Sequence, residues 1–484
     1  MMKKIVALTL VLLMALSLCA CKSAEPAQET VKETGLKVGY GQVSITPEMS
    51  LPLAGYGNTM NRMSEGYIDA LYVTCIAVQD ATGEAALFIT TDTLSFYDNL
   101  LNMVRPSVSV ATSIPQERIV LCATHTHSAP DMNADYAGIL EYKDLFTKAV
   151  VDAGKAAMAD LSPATVETAS VDTENLTFVR HYLMNDGTYY GPNFGNSSSG
   201  FKAHERDADP QMQLIRFARA AKDKKDVLMV NWQTHPLVAS TNASGAGASA
   251  RNMVSADFVG PMRDYIYEST DTLVAFYQGA AGNLNPRSSI TAEQEKVPNE
   301  VEEYGKALGQ YAIDAMKNME AVPVGTIVSK QTKYKAEFDH SENHLVEYAK
   351  PVADMWAQTG NFNACLELGR EHGVMGPYHA SAIIRRSKVL YSVKEMEINA
   401  IAIGDVAFVT APYEMFCQNG QQIKEGSPYA TTFVITCSNG HNSYIAADEA
   451  FEFGSYEVHA RNFVRGTAEG VVAQLISMLE TIKG

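Results

Sequence analysis

The sequence predicts an α/β fold, with mixed buried sheets flanked by helices, on two observations. Short apolar runs of strand length alternate with longer stretches whose apolar residues recur at helical spacing. Most of those runs are apolar almost throughout instead of at every second position, which is the pattern of strands covered on both faces. With 484 residues, 46% of them hydrophobic and 19% charged, the chain has the composition of a globular protein that can bury a large core.

The first twenty residues read as an address and not as an element of the fold. Lys3 and Lys4 precede an apolar run from Ile5 to Ala20 that is short for a membrane span, and the run closes in Leu18-Cys19-Ala20-Cys21, which looks like a bacterial lipobox. The expectation is a lipoprotein signal peptide over 1–20 and a lipidated Cys21 that holds the exported chain on a membrane surface. Residues 21–36 are polar without an apolar period and form a flexible tether. Residues 37–484 then make one large domain.

Within that domain strands are expected in the runs 84–92 (EAALFITTD), 118–127 (RIVLCATHTH), 226–235 (DVLMVNWQTH), 272–283, 400–412 and 431–441. Helices are expected over 142–161, 300–320 and the C-terminal stretch 462–484. The segments 194–210 and 240–252 hold too much Gly and Ser to be elements and read as loops. No internal repeat interrupts this order. The formal charge of −17, or −19 without Lys3 and Lys4, repels nucleic acid and anionic headgroups, so neither is expected as a partner. Beyond Cys21 the cysteines Cys75, Cys122, Cys365, Cys417 and Cys437 are odd in number and lack paired short spacings, so no disulfide framework is inferred.

The polar residues that stand out follow directly after those runs: His125 and His127, His235, the turn GAAGN, Glu414 and His441. Loops at strand C-terminal ends converge on the ligand crevice of α/β sheets, so clusters at equivalent ends meet in space if the strands run parallel. In an extended segment residues i and i+2 share a face, so His125 and His127 would project together. Two or three imidazoles with one carboxylate form a ligand set that suits catalytic zinc. Taken singly, each residue is equally well a bonded core histidine or a helix-end carboxylate.

The motifs ATHTHSAP, a later THP after a buried strand, PYE after a Gly-Asp hairpin and SNGHNSYIAADEAFEFGSYE resemble the neutral/alkaline ceramidases, zinc amidases that hydrolyse the N-acyl bond of ceramide. VGYGQVSITPE, the GYG at 55–57 and the Asp of FITTDTLSF extend the likeness from about residue 37 to 460. The resemblance implies His125, His235 and Glu414 as ligands of one zinc ion, and His127 beside them as the group that meets the carbonyl oxygen or the leaving group. Arg180 falls near the family's site arginine. His441 stands where the family has a fourth ligand, a tyrosine, and Asn285 where it has a serine; Asp257 and Asn283 are candidates to orient the others.

The chain ends at Gly484, shortly after the last motif and without the C-terminal sandwich domain of longer relatives, so ceramide itself is not read into it. The expected function is hydrolysis of an N-acyl amide, in a small-molecule or lipid-like substrate, by metal-activated water, with His127 and Arg180 as catalytic groups. Two other classes stay open: a membrane-anchored ligand-binding lipoprotein with a degenerate site, and a metal-dependent esterase or phosphoesterase on the same scaffold.

Overall fold

The computed structural model describes residues 35–56, 62–191, 200–241 and 251–484. The expected signal peptide, Cys21 and nearly all of the tether lie outside the described residues, as do parts of the two Gly/Ser loops. Two sheets pack face to face between outer layers of helices, so the mixed α/β class holds.

Eight strands form the path of the larger sheet: β1 (Lys37–Ser44), β2 (Tyr72–Gln79), β3 (Ala85–Thr91), β4 (Ile119–Ala123), β5 (Ser162–Asp172), β6 (Gln211–Arg219), β7 (Val227–Trp232) and β8 (Leu273–Gln278). Their order is β8-β7-β6-β5-β1-β2-β3-β4, with the short strand Glu320–Val322 added beside β5. The smaller sheet runs β9-β10-β11-β12, from β9 (Ile327–Glu337), β10 (Val393–Ile403), β11 (Val406–Thr410) and β12 (Thr431–Ile435). Alternation on β3 explains the layering. Phe88 faces the second sheet, where it meets Phe408 and Phe433, while Leu87 and Ile89 face outward onto helices. Those helices are α1 (Asp98–Thr112) and α2 (Gly138–Ala159), with α3 (Val259–Thr270) and α4 (Val301–Met316) covering the same side of β6, β7 and β8.

Between β9 and β10 the chain inserts three helices, α5 (Val346–Thr359), α6 (Phe362–Arg370) and α7 (Pro377–Ser387). The far side of the smaller sheet is closed by α8 (Cys417–Gly426) and α9 (Thr467–Lys483).

The larger sheet is antiparallel except at its two edges, where β3 pairs with β4 and β7 with β8 in parallel. The smaller sheet has one parallel pair, β11 with β12. The C-terminal ends of these pairs come together: Ala123 N at the end of β4 donates to Cys437 O at 3.0 Å, and Thr436 N donates to Gln278 O at the end of β8 at 2.9 Å. Convergence at strand ends therefore arises from three local parallel pairs and not from a parallel sheet. Two expected strands are also redrawn. The run 118–127 stops being a strand at Ala123, and 400–412 is a hairpin whose turn, Gly404-Asp405, takes Gly404 to φ +61°.

Candidate metal centre

His125 sits two residues past β4 with a left-handed backbone, φ +70°, a conformation rarely open to a residue with a Cβ. The expectation of one shared strand face for His125 and His127 therefore meets a turn instead of an extended segment. The turn is held by Thr124 N on Thr91 O (2.8 Å) and His125 N on Thr93 O (3.0 Å). It still brings the rings together: the His125, His127 and His235 imidazoles lie 5.0–5.5 Å apart, edge to face. One ligand nitrogen from each lies within 4.8 Å of the others. His127 N donates to Pro236 O at 3.1 Å, which stitches this turn to the segment that carries His235.

The hydrogen bonds assign the tautomers. His125 Nδ1 donates to Leu94 O at 2.8 Å, and His235 Nδ1 to Ala281 O and Leu284 O at 2.9 and 3.0 Å. Carbonyls only accept, so each ring has its proton on Nδ1 and can turn an Nε2 lone pair inward. Both Nε2 atoms lie 3.3 Å from Glu414 Oε2. The buried His235 Nε2, Glu414 Oε2 and both nitrogens of His127 have no hydrogen-bond partner.

Acceptors gathered in this way repel unless positive charge joins them, and the titration behaviour agrees. Burial opposes charge on His125, yet Cys437 and Glu414 outweigh it and lift that imidazole well above its ordinary range. Burial and the two neighbouring imidazoles hold His127 well below it, and burial with the Arg180 charge brings His235 to about 4. Despite burial, His125 and His235 hold the Glu414 carboxyl well below the usual carboxylate range. One carboxylate and converging imidazole nitrogens are a donor set that fits a divalent cation such as zinc.

Glu414 is placed by a short parallel pairing of Glu414–Met415 with Tyr444–Ile445, and Gly282 N donates to Met415 O at 2.7 Å. Asp257, itself at φ +57°, accepts from Val238 N, Ala239 N and Phe258 N and so pins the segment after His235. Asn283 accepts from Cys417 N at 2.9 Å and donates to Gln418 Oε1 at 3.1 Å, tying the β8 turn to the start of α8. Asn285 belongs to a two-residue pairing, Leu284–Asn285 with Phe178–Val179, that holds Leu284 O against His235.

Arg180 is buried and heavily engaged. Its Nε donates to Glu457 Oε1 (2.6 Å) and its Nη2 to Gly282 O (2.9 Å) and the Tyr444 hydroxyl (3.4 Å), which leaves Nη1 without an acceptor among the described residues. Glu457 also takes His181 Nε2 at 2.8 Å. His441 lies at the edge, outside the tight histidine group, with its ring 5.2 Å from that of Tyr97 and its Nδ1 without a partner. It keeps some solvent exposure although burial brings its pKa to about 4, as for a group lining a crevice.

Three contacts were not foreseen. Tyr56 sets its ring edge-on to His127 at 5.4 Å, Cys437 Sγ lies 3.6 Å from His125 Nδ1, and Glu457 braces Arg180. Glu457 and Tyr56 stood in quoted motifs without a role, and nothing in the local sequence singles out Cys437. A second group, Glu342, His379 and His459, also brings its ligand atoms within 4.8 Å. There Glu342 already meets His379 Nε2 at 3.0 Å and Arg386, with Arg461 at 3.9 Å, so the group is an ion-paired brace.

The model of the neutral/alkaline non-lysosomal ceramidase N-terminal region matches residues 36–315. The fold is similar to the crystal structure of neutral ceramidase from Pseudomonas aeruginosa, with a TM-score of 0.67 at 17% identity over 93% of this chain and 75% of that one. It is likewise similar to a ceramidase complexed with C2, with a TM-score of 0.66 at 16% identity and the same two coverages. No curated protein matches the sequence.

Proposed function

Because the chain belongs to the neutral/alkaline non-lysosomal ceramidase family, we propose that it is a zinc-dependent hydrolase of N-acyl amide bonds. The observation that carries this reading is the meeting of His125 Nε2 and His235 Nε2 on Glu414 Oε2, with both Nδ1 protons committed to backbone carbonyls. Carbonyl acceptors behind metal-binding imidazoles are the usual way a protein fixes their tautomer and orientation. His125, His235 and Glu414 would hold the ion, and His441 is the further donor at the edge. Zinc bound there supplies a Lewis acid and activates water near neutral pH.

The remaining steps belong to the protein. His127 has no carbonyl behind it and neither of its nitrogens is bonded, so its ring can accept a proton on one side and release it to the departing amine on the other. Arg180, steadied by Glu457 and Gly282 O, offers its Nη1 edge to the oxygen that gains charge as the carbonyl is attacked. Asn285, an amide, supplies no nucleophile, so no acyl-enzyme step is required.

The test is metal analysis of the purified protein with turnover of N-acyl amides against matched esters. One zinc per chain is expected, lost together with activity in His125→Ala and His235→Ala, while His127→Ala loses activity and keeps much of the metal. Full zinc in the His125→Ala, His235→Ala double variant would place the ion elsewhere. Zinc with no turnover of any acyl compound would favour a ligand-binding role, and esters cleaved without amides an esterase.

The Cys21 lipobox pattern supports an exported chain anchored through lipid. Cys21→Ser is expected to move the protein from the membrane to the soluble fraction with unchanged specific activity, and a wild-type protein wholly soluble and unacylated would end that part of the proposal.

A further inference from the structure

The arginines of this acidic chain are mostly neutralised. Arg105, Arg118, Arg180, Arg206, Arg216, Arg219, Arg263, Arg386, Arg461 and Arg465 each meet a carboxylate. Among the described residues Arg62, Arg251, Arg287, Arg370 and Arg385 meet none; of these, Arg62 and Arg251 reach the histidine cluster through Tyr56, and Arg385 acts on His441 at its edge. Arg62 is buried on backbone carbonyls, one of them that of His127. Its guanidinium and that of Arg251 lie over the Tyr56 ring, at 4.6 and 4.8 Å, and Tyr56 is the ring set against His127.

Arg385 approaches from the opposite side, on α7. Its Nη2 donates to Ala460 O at 2.9 Å, the carbonyl that Ser443 Oγ also uses, and Ser443 O in turn receives Glu414 N at 3.1 Å. Its Nε and Nη2 both reach Asn462 Oδ1, at 3.2 and 3.0 Å. The guanidinium is thereby fixed in orientation, yet it is exposed, and Nη1 has no protein acceptor among the described residues. Tyr378, seven residues earlier and so on the same face of α7, stacks its edge on Tyr456, which meets Tyr444 beside Arg180. The charge of Arg385 reaches Tyr456, Tyr97 and His441, and that of Arg251 reaches Tyr378. Lys394 nearby is taken by Asp98 at 3.0 Å, and Asp131, the acid outside the cluster that acts on Tyr97, is turned onto Asn133 N.

A neutral double-chain lipid has no use for a fixed, unpaired guanidinium at the entrance. A guanidinium fixed in orientation with one edge unused favours an oxyanion over an uncharged group, because charge-assisted hydrogen bonds are the stronger ones. Resting on the amidase reading above, we infer that the site takes N-acyl compounds bearing an oxyanion, a carboxylate or a phosphate ester, on the amine half near the scissile bond. Arg385 is the specificity-determining residue and Arg251 a second positive charge across the entrance.

The experiment compares three substrates with one acyl chain: N-lauroyl-glycine, N-lauroyl-phosphoethanolamine and the neutral N-lauroyl-ethanolamine. We expect kcat/KM for at least one anionic substrate to exceed that of the neutral one by about tenfold or more, and Arg385→Gln to cut that ratio by about tenfold, mainly through KM. Arg385→Lys should keep part of the preference. Raising ionic strength from about 0.02 to about 0.5 M should shrink the ratio several-fold in the wild type, which needs no variant to fold. A neutral substrate cleaved as well as both anions, or a ratio that ignores both Arg385→Gln and salt, overturns the inference and leaves the amidase intact. If no amide is cleaved the function reading fails, and calorimetric binding of the same three compounds still decides this one: equal affinities sink it.

Discussion

At the scale of the residue, the centre depends on two kinds of backbone. Histidine at φ +70° in position 125 has a cost on the order of 1 kcal/mol, which the surrounding hydrogen bonds must offset. Glycine at 55, φ +100°, leaves the space that His127 occupies: a Cβ there would stand 2.5 Å from the His127 ring. Gly55→Ala is therefore expected to displace His127 and lower kcat by about 100-fold, the cost typical of misplacing a catalytic group by about 1 Å. Zinc content should hold, because His125 and His235 are anchored separately. Activity within a factor of two of wild type would show that His127 need not sit where it does. The residue types of this site were legible in the sequence, in HTHS, THP and PYE. Their approach was not, because alternation along a strand was the only geometry available to argue from and the chain leaves that geometry at His125. Cys437 was invisible for a related reason, since it touches His125 from another part of the chain and looks locally like an ordinary core residue, while Tyr56 stood in the GYG motif without a role.

Elements explain how the candidates are held. The short helix Tyr456–Ala460 is nailed to the segment after Phe178–Val179 by Glu457, which is fully buried between Arg180 and His181. Removing one partner of such a group leaves uncompensated charge, so Glu457→Gln should destabilise the fold by about 3 kcal/mol in chemical denaturation. The sign with pH follows from its pKa, which Arg180 and His181 hold well below the carboxylate range despite burial. The contribution is complete above the unfolded value of about 4.3 and declines only below it, so the difference between variant and wild type should stay flat from about pH 6 to 8. A difference that vanishes within that range would mean the ion pair does not form. Strands buried on both faces, such as β3, β4 and β7, stood out as unbroken apolar runs. β5 and β9 did not, since SPATVETASVD and IVSKQTKYKAE alternate with polar residues on half-exposed surfaces. The three inserted helices α5, α6 and α7 were passed over as well, although they carry Arg385.

At the scale of the whole domain, two sheets pack over a largely apolar inner layer, and outside that layer one partly buried carboxyl braces the site loop. Asp69 accepts from Ser255 Oγ and Ala256 N, and Ser255 O receives the Thr126 hydroxyl between the two site histidines. Burial lifts Asp69 to about 7. An acid whose folded pKa is raised keeps its proton when the unfolded chain has lost it, so stability should fall as pH rises from about 4 to 7 and level off above. Partial exposure limits the effect to the order of 1 kcal/mol. Asp69→Asn should flatten the dependence of melting temperature on pH across this window, and a slope equal to that of wild type would assign it to another group.

His125, His235, Glu414 and His441 follow β4, β7, β11 and β12, so the donors are spread across most of the chain and meet only when the last of these strands lies beside its partner. A growing chain is translated from its N-terminus, and through the synthesis of residues 236–413 it holds three neighbouring histidines without the Glu414 carboxylate. Completion of the ligand set is thus postponed until translation is nearly over. A chain interrupted between His235 and Glu414 would carry the imidazoles without the carboxylate that joins them, and would hold the ion more weakly for it.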